Sequence, residues 1–83
     1  MEETADRLEK ETRKWLTRLE AEARTLQKTA ELEGLDNSIE NINSYISDCK
    51  HFLDKMDFIN AFEAIIYSWG IFETLLRLGL VKK

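Results

Sequence analysis

Apolar side chains recur at every third or fourth position along three stretches of this chain, a spacing typical of amphipathic helices. The chain has no proline and only 3 glycines, so little interrupts a helix once it has begun. Apolar residues make up 43% of the sequence, which is enough for a packed core. The second stretch shows the pattern most regularly, with Leu35, Ile39, Ile42, Ile46, Cys49, Leu53 and Met56. The sequence therefore predicts an all-α fold.

The expected architecture is a single domain over residues 1–83, an antiparallel up-and-down three-helix bundle with a long N-terminal helix. The apolar periodicity places the helices at about 2–32, 36–55 and 57–79, with short connections between them. Aromatic and branched side chains at the centre of each apolar stripe are expected in the core: Trp15, Ile46, Phe62, Ile65, Trp69 and Phe72.

Helix ends are predicted from residue types that favour caps. Gly34 is expected to end the first helix and Gly79 the third, because glycine readily adopts the left-handed conformation that follows many helices. The polar run 36–38, Asp-Asn-Ser, can begin the second helix. Asp57 is the best cap for the third helix.

The first helix is predicted to be longer than its neighbours. A helix over residues 2–32 would measure about 46 Å, against about 30 Å for the second helix, at 1.5 Å per residue. Roughly the first ten residues, including Ala5 and Leu8, would then extend beyond the bundle. That segment either frays or packs on another chain, so Leu8 is a candidate contact residue.

The third helix carries more apolar residues than two neighbours can cover. Its apolar arc exceeds roughly 200°, whereas two packed helices cover about 150°. Either the helix is central and well covered, or part of it faces a partner, in which case Ile71 and Leu78 would contribute. The residues that widen the stripe are Ala64, Ile71, Leu75 and Leu78 on one flank and Ile59 and Ile66 on the other.

Gly70 is unusual because it lies inside the third helix, where glycine costs about 0.8–1 kcal/mol relative to alanine. Close approach of a neighbouring backbone is the favoured explanation, and a contact with a partner or ligand is the other. Tyr67 lies one turn earlier and would belong to the same contact.

Several function classes are disfavoured by charge and composition. A net charge of −4 does not favour a nucleic-acid binder, which needs a basic surface. The uncharged run Ala64–Phe72 falls far short of the roughly 20 residues that a membrane span requires. The single cysteine and the acidic N-terminus, which does not resemble a signal peptide, favour a cytoplasmic location.

No arrangement of reactive residues indicates catalysis, a metal or a cofactor. Cys49 and His51 lie about 200° apart around the second helix, so they cannot bind one metal within the chain. The sequence has neither a Glu-x-x-His pair nor a glycine-rich phosphate loop, and His51 is not part of a recognisable triad motif. We therefore expect a non-enzymatic protein without cofactors.

The stretch from Tyr45 to Leu80 carries a long gapless pattern that ends in Leu-Gly-Leu. This pattern resembles the archaeal domain-of-unknown-function family 357. Met56 departs from it, because the family has a glycine in that turn, and Cys49, Ser68 and Glu73 depart as well. The resemblance implies a three-helix bundle from the archaeal cytoplasm, with no established activity and no catalytic residues to transfer. The matching residues are Asp48, Phe52, Leu53, Asp57, Ala61, Phe62, Glu63, Ala64, Tyr67, Gly70, Leu78, Gly79 and Leu80.

The favoured function is a protein–protein interaction module, binding either another protein or a second copy as a homo-oligomer. One alternative is an RNA-processing-associated helical domain, although no arginine precedes His51 at the spacing found in small helical ribonucleases. The other alternative is a carrier that holds a small apolar ligand between its helices. The candidate contact residues are Leu8, Tyr67, Gly70, Ile71 and Leu78.

Overall fold

The computed structural model describes residues 2–83, which form an all-α, antiparallel up-and-down three-helix bundle as predicted. Helix α1 spans Glu2–Arg24, α2 spans Leu35–Asp54 and α3 spans Phe58–Arg77. Two short strands, β1 at Gln27–Lys28 and β2 at Val81–Lys82, pair in antiparallel fashion. The strand pair joins the C-terminal segment to the connection between α1 and α2 through backbone hydrogen bonds.

Helix α3 is the central element, because both other helices pack on it. Ile65 and Phe72 on α3 are fully buried, and Ile46 on α2 is buried against them, as predicted for the core. The predicted core residues Trp15, Phe62 and Trp69 are only half-buried, because each lines an open groove at the surface.

Two polar side chains are fully buried and hydrogen-bonded. Ser68 Oγ donates to the carbonyl oxygen of Ile42 at 2.8 Å, which joins α3 to α2. Thr12 Oγ1 donates to the carbonyl of Leu8 at 2.7 Å within α1. Because both hydroxyl groups have a hydrogen-bond partner, their burial does not carry the free-energy cost of an unpaired polar group.

The predicted end of the first helix near residue 32 is wrong, since α1 ends at Arg24. Residues 27–29 instead form backbone hydrogen bonds with the C-terminal segment, including Thr29 N–H to the Leu80 carbonyl at 3.0 Å. Leu26 continues the helical spacing and is half-buried, although it lies after the end of α1. The apolar pattern therefore extends beyond the helix itself. The connection between α1 and α2 is consequently long.

The shorter α1 also changes the predicted overhang. At 1.5 Å per residue, α1 measures about 34 Å and α3 about 30 Å, so the two helices nearly match. Leu8 is half-buried and lines a groove with Met56, Phe58 and Ile59 at the turn between α2 and α3. The N-terminal part of α1 therefore lies beside the start of α3 rather than beyond the bundle.

An exposed ion pair lies between the connection and the first turn of α2. Lys28 Nζ lies 2.9 Å from an Asp36 carboxylate oxygen and 3.3 Å from one of Glu31. Hydrogen bonds to these two carboxylates raise the pKa of Lys28 above its ordinary value of 10.5, and the bond to Asp36 has the larger effect. Asp36 thus pairs with Lys28, and the N-cap of α2 is Gly34, without the side-chain cap predicted from residues 36–38.

The other helix ends follow known capping geometry. Asp57 caps α3 as predicted, since its carboxylate accepts from the backbone N–H of Asn60 at 3.2 Å. Gly79 follows α3 with a φ of 71°, as expected for a helix stop. After α2 the same left-handed position is occupied by Met56, with a φ of 60°. Gly34 has a φ of 90°, but it precedes α2 instead of ending α1.

Candidate functional site

The exposed large apolar side chains are concentrated on α3. Within residues 2–83, Leu32 lies in the connection and Met56 in the turn, whereas the other four belong to α3 and its C-cap. Their exposed fractions are 75% for Ile59, 42% for Ile66, 53% for Tyr67 and 65% for Leu78. Side chains of this kind scattered singly need no explanation, but four along one helix mark a candidate interaction surface.

We use the term outer face for the exposed residues of α3 centred on Gly70. At about 100° per residue, Gly70 points directly away from the fully buried Ala61 on the opposite side of the helix. The outer face consists of Ile59, Glu63, Ile66, Tyr67, Gly70, Glu73, Thr74 and Arg77, all of them exposed.

The close approach of a neighbouring backbone that was predicted for Gly70 is not observed. Outside the adjacent residues and the backbone of its own helical turn, a Cβ atom placed on Gly70 would have no heavy atom within 4 Å, so no backbone of another segment approaches the residue. The missing side chain instead leaves a notch in the middle of the outer face. Contact with a partner or ligand, the other explanation offered by the sequence, stays a prediction.

Two open grooves border Gly70. The groove on the α2 side has a volume of about 620 Å³, and Tyr67, Gly70 and Ile71 line it together with Ser38 of α2. The groove on the α1 side has a volume of about 250 Å³, and Trp15 and Trp69 line it. The crest of α3 between the grooves is thus accessible from both flanks.

The outer face rests on a firmly packed support. Trp69 Nε1 donates to the carbonyl oxygen of Trp15 at 3.0 Å, and the two indole rings meet edge to face at 5.6 Å. On the other flank the rings of Tyr45 and Tyr67 lie 5.6 Å apart. These contacts fix α3 against both neighbours, so the surface is formed before any partner binds.

Charges flank the apolar centre of the outer face. Glu63 lies two turns before Gly70 and Arg77 two turns after it, and both side chains are exposed. Across residues 2–83, the ion pairs within 4.0 Å include neither of these residues, nor Glu73. The three charges are therefore available to an external partner.

The structure brings together some of the candidate contact residues predicted from sequence. Tyr67, Gly70 and Ile71 share one groove, although Ile71 is half-buried. Leu78 is exposed just beyond the end of α3. Leu8 belongs to a different groove, beside the turn that precedes α3.

Ile59 and Ile66 lie on the outer face but are not among the candidate contact residues predicted from sequence. The signal was present, because both residues widen the apolar stripe of the third helix on one flank. The sequence alone does not show which flank its neighbours cover. Packing of α1 and α2 decides this by burying Ala64 and Leu75 while leaving Ile59 and Ile66 exposed.

Reactive side chains elsewhere are separate from one another. Cys49 is fully buried, and burial, followed by the negative charge of Glu20, raises the pKa of its thiol to about 11. His51 is exposed, with its ring beside that of Phe52 at 5.7 Å. In the described part of the chain, no three His, Cys, Asp or Glu side chains are grouped so that they could hold a metal ion. None of the helices of residues 2–83 is both long and apolar enough to span a bilayer.

The sequence matches a family model described as a protein of unknown function (DUF357) over residues 6–81. The chain belongs to the DUF357 family. The structure is also similar to the crystal structure of protein AF1782 from Archaeoglobus fulgidus, which the same family model describes, with a TM-score of 0.85 and 31% sequence identity. The similarity covers 96% of this chain and 97% of that chain. No match is found among curated proteins. The family resemblance expected from residues 45–80 is confirmed, and the match extends into α1.

Proposed function

We propose that this DUF357 protein is a non-enzymatic protein–protein interaction module whose binding surface is the outer face of α3. The observation that carries the proposal is the concentration of exposed apolar side chains on that one helix. Removing exposed apolar side chains such as Ile66 from water contributes favourable free energy to an association. Several such side chains in one row supply the apolar centre that a protein interface requires.

The composition of the outer face supports this role over the alternatives. Exposed apolar side chains lie before Gly70 and charged side chains lie on both sides of it, so the surface combines the apolar and charged groups that protein interfaces contain. The grooves beside Gly70 are open along the helix, which suits docking of a helix better than enclosure of a small apolar ligand. The Thr74 hydroxyl of this surface donates to the carbonyl oxygen of Gly70 at 2.7 Å and not to a carboxylate, so we assign the surface no reaction.

The test is site-specific photo-crosslinking in cells. A photoreactive phenylalanine analogue replaces Ile66 on the outer face in one variant and the exposed Thr17 on α1 in the control. We expect the variant at position 66 to form a discrete adduct whose mass exceeds that of the chain by the mass of another protein chain. The control is expected to form no such adduct.

The proposal is rejected if position 66 forms no adduct with any protein while the variant is folded by circular dichroism. It is also rejected if positions 66 and 17 give the same adducts, because the contact would then not be specific to the outer face. Digestion and mass spectrometry of the adduct identify the partner and the residue that it presents.

A further inference from the structure

We propose that the partner of the outer face is a second copy of this chain, with the two α3 helices antiparallel and the two Gly70 residues meeting at the two-fold axis. This inference rests on the proposed function, since it names the occupant of the same surface. A two-fold interface requires a surface that is complementary to itself. The outer face meets that requirement in shape, in charge and in the pairing of the side chains beside Gly70.

The shape requirement is met at Gly70. Packed helix axes lie about 8–10 Å apart, and the smaller distances need small residues at the crossing point. Gly70 is exposed, lies at the centre of the outer face and has open space where a side chain would be. Two copies that meet there can bring their backbones close without displacing any side chain of their own chain.

The charge requirement is met by Glu63 and Arg77, which lie seven residues before and after Gly70. Each is displaced by about 10.5 Å along the axis and by about 20° around the helix, in opposite senses. The two-fold axis therefore places Glu63 at the same height as the partner's Arg77. A crossing angle of about 20°, usual for packed helices, compensates for the drift around each helix, so these side chains meet. The symmetry repeats this pair, and the dimer gains two opposite-charge contacts.

The side chains beside Gly70 also pair across the axis. On one side of the crossing point, Tyr67 lies near the partner's Thr74, whose methyl group offers the phenol ring an apolar contact. On the other side, Ile66 lies near the partner's Glu73. The pairing thus covers the two exposed apolar residues nearest Gly70 without placing like charges opposite each other.

Two alternative arrangements of the α3 helices oppose like charges. In a parallel pair, Glu63 faces the partner's Glu63 and Arg77 faces the partner's Arg77. In an antiparallel pair shifted so that Ile66 faces the partner's Gly70, Glu63 faces the partner's Glu73. Since like charges at an interface are repulsive, the register centred on Gly70 is favoured over both.

The test is sedimentation equilibrium of the purified chain across a concentration series at low salt. We expect a reversible monomer–dimer equilibrium for the wild type. Glu63→Arg and Arg77→Glu should each weaken dimerisation by about tenfold, because each turns two attractive pairs into two repulsive ones. The control matched to Glu63→Arg is Glu40→Arg on the exposed surface of α2. It makes the same charge change and should leave the dimer unchanged.

Mixing the two weakened variants is the decisive step. In a mixed dimer, the arginine introduced at position 63 of one variant faces the glutamate introduced at position 77 of the other. The unchanged Arg77 of the first variant faces the unchanged Glu63 of the second. Both pairs are restored, so the mixture should dimerise about as strongly as the wild type. A mixture that stays as weak as its components overturns the inference, as does a wild type that remains monomeric throughout.

The photo-crosslinking experiment separates failure of this inference from failure of the proposed function. An adduct between position 66 and a different protein, together with a monomeric wild type, overturns self-association and leaves the interaction surface supported. Absence of any adduct at position 66, together with a monomeric wild type, overturns both.

Discussion

Replacing Gly70 by alanine should stabilise the monomeric chain. Gly70 lies inside α3 and is absent from the residues of positive φ, so its backbone already suits alanine. The added Cβ would meet no heavy atom within 4 Å outside the adjacent residues and the backbone of its own helical turn, so it introduces no clash. Alanine in a helix interior is favoured over glycine by about 0.8–1.0 kcal/mol. For a chain of this size we expect the melting temperature to rise by about 4–8 °C.

The assay is thermal unfolding monitored by circular dichroism at concentrations where the chain is monomeric, because dimerisation would itself raise the apparent stability. Gly79→Ala is the control, since Gly79 also has open space around it but has a φ of 71°. Alanine in that left-handed conformation costs about 1–2 kcal/mol, so the melting temperature should fall. A Gly70→Ala variant that unfolds earlier than the wild type would refute the assignment of Gly70 to an uncovered position.

Three further predictions concern the turn after α2 and the buried thiol. Met56→Gly should raise the free energy of unfolding by about 1 kcal/mol, because glycine removes the cost of a side chain at positive φ; urea denaturation that shows no gain contradicts the turn geometry. Asp57→Ala should lower the free energy of unfolding by about 1 kcal/mol through loss of the α3 cap, with Asp57→Asn retaining most of it; equal losses in the two variants would count against the cap. Because the native thiol of Cys49 binds its proton more tightly than the unfolded one, stability should fall as pH rises from about 9 to about 11. A Cys49→Ala variant should lack this part of the pH dependence, and an unchanged profile would contradict it.

The amphipathic helices were predictable from the sequence because their apolar residues repeat at a short, regular spacing. The bounds of α2 and α3 agree with the predicted 36–55 and 57–79 to within two residues. Asp57 and Gly79 were also predictable, since capping depends on residues adjacent in sequence. The end of α1 was not predictable in this way, because pairing of Lys28 with Val81 joins distant parts of the chain.

The interaction surface was only partly predictable for a related reason. Sequence shows that α3 has too many apolar residues, but it does not show where the neighbouring helices lie. The side chain of Ile71 is half-buried in the groove on the α2 side, whereas Ile59 and Ile66 are left outside. Met56 shows a second limit, since the left-handed turn after α2 forms without the glycine that usually marks it.

The most direct test of the interaction surface is a concentration series of ¹H–¹⁵N NMR spectra of the wild-type chain. We predict that the amide signals that shift or broaden with rising concentration cluster on the outer face, around Ile66, Gly70 and Thr74. Amides on the exposed surface of α1, such as those of Thr17 and Ala21, should remain unchanged. Changes centred on α1, or no changes at any concentration, would contradict self-association through α3.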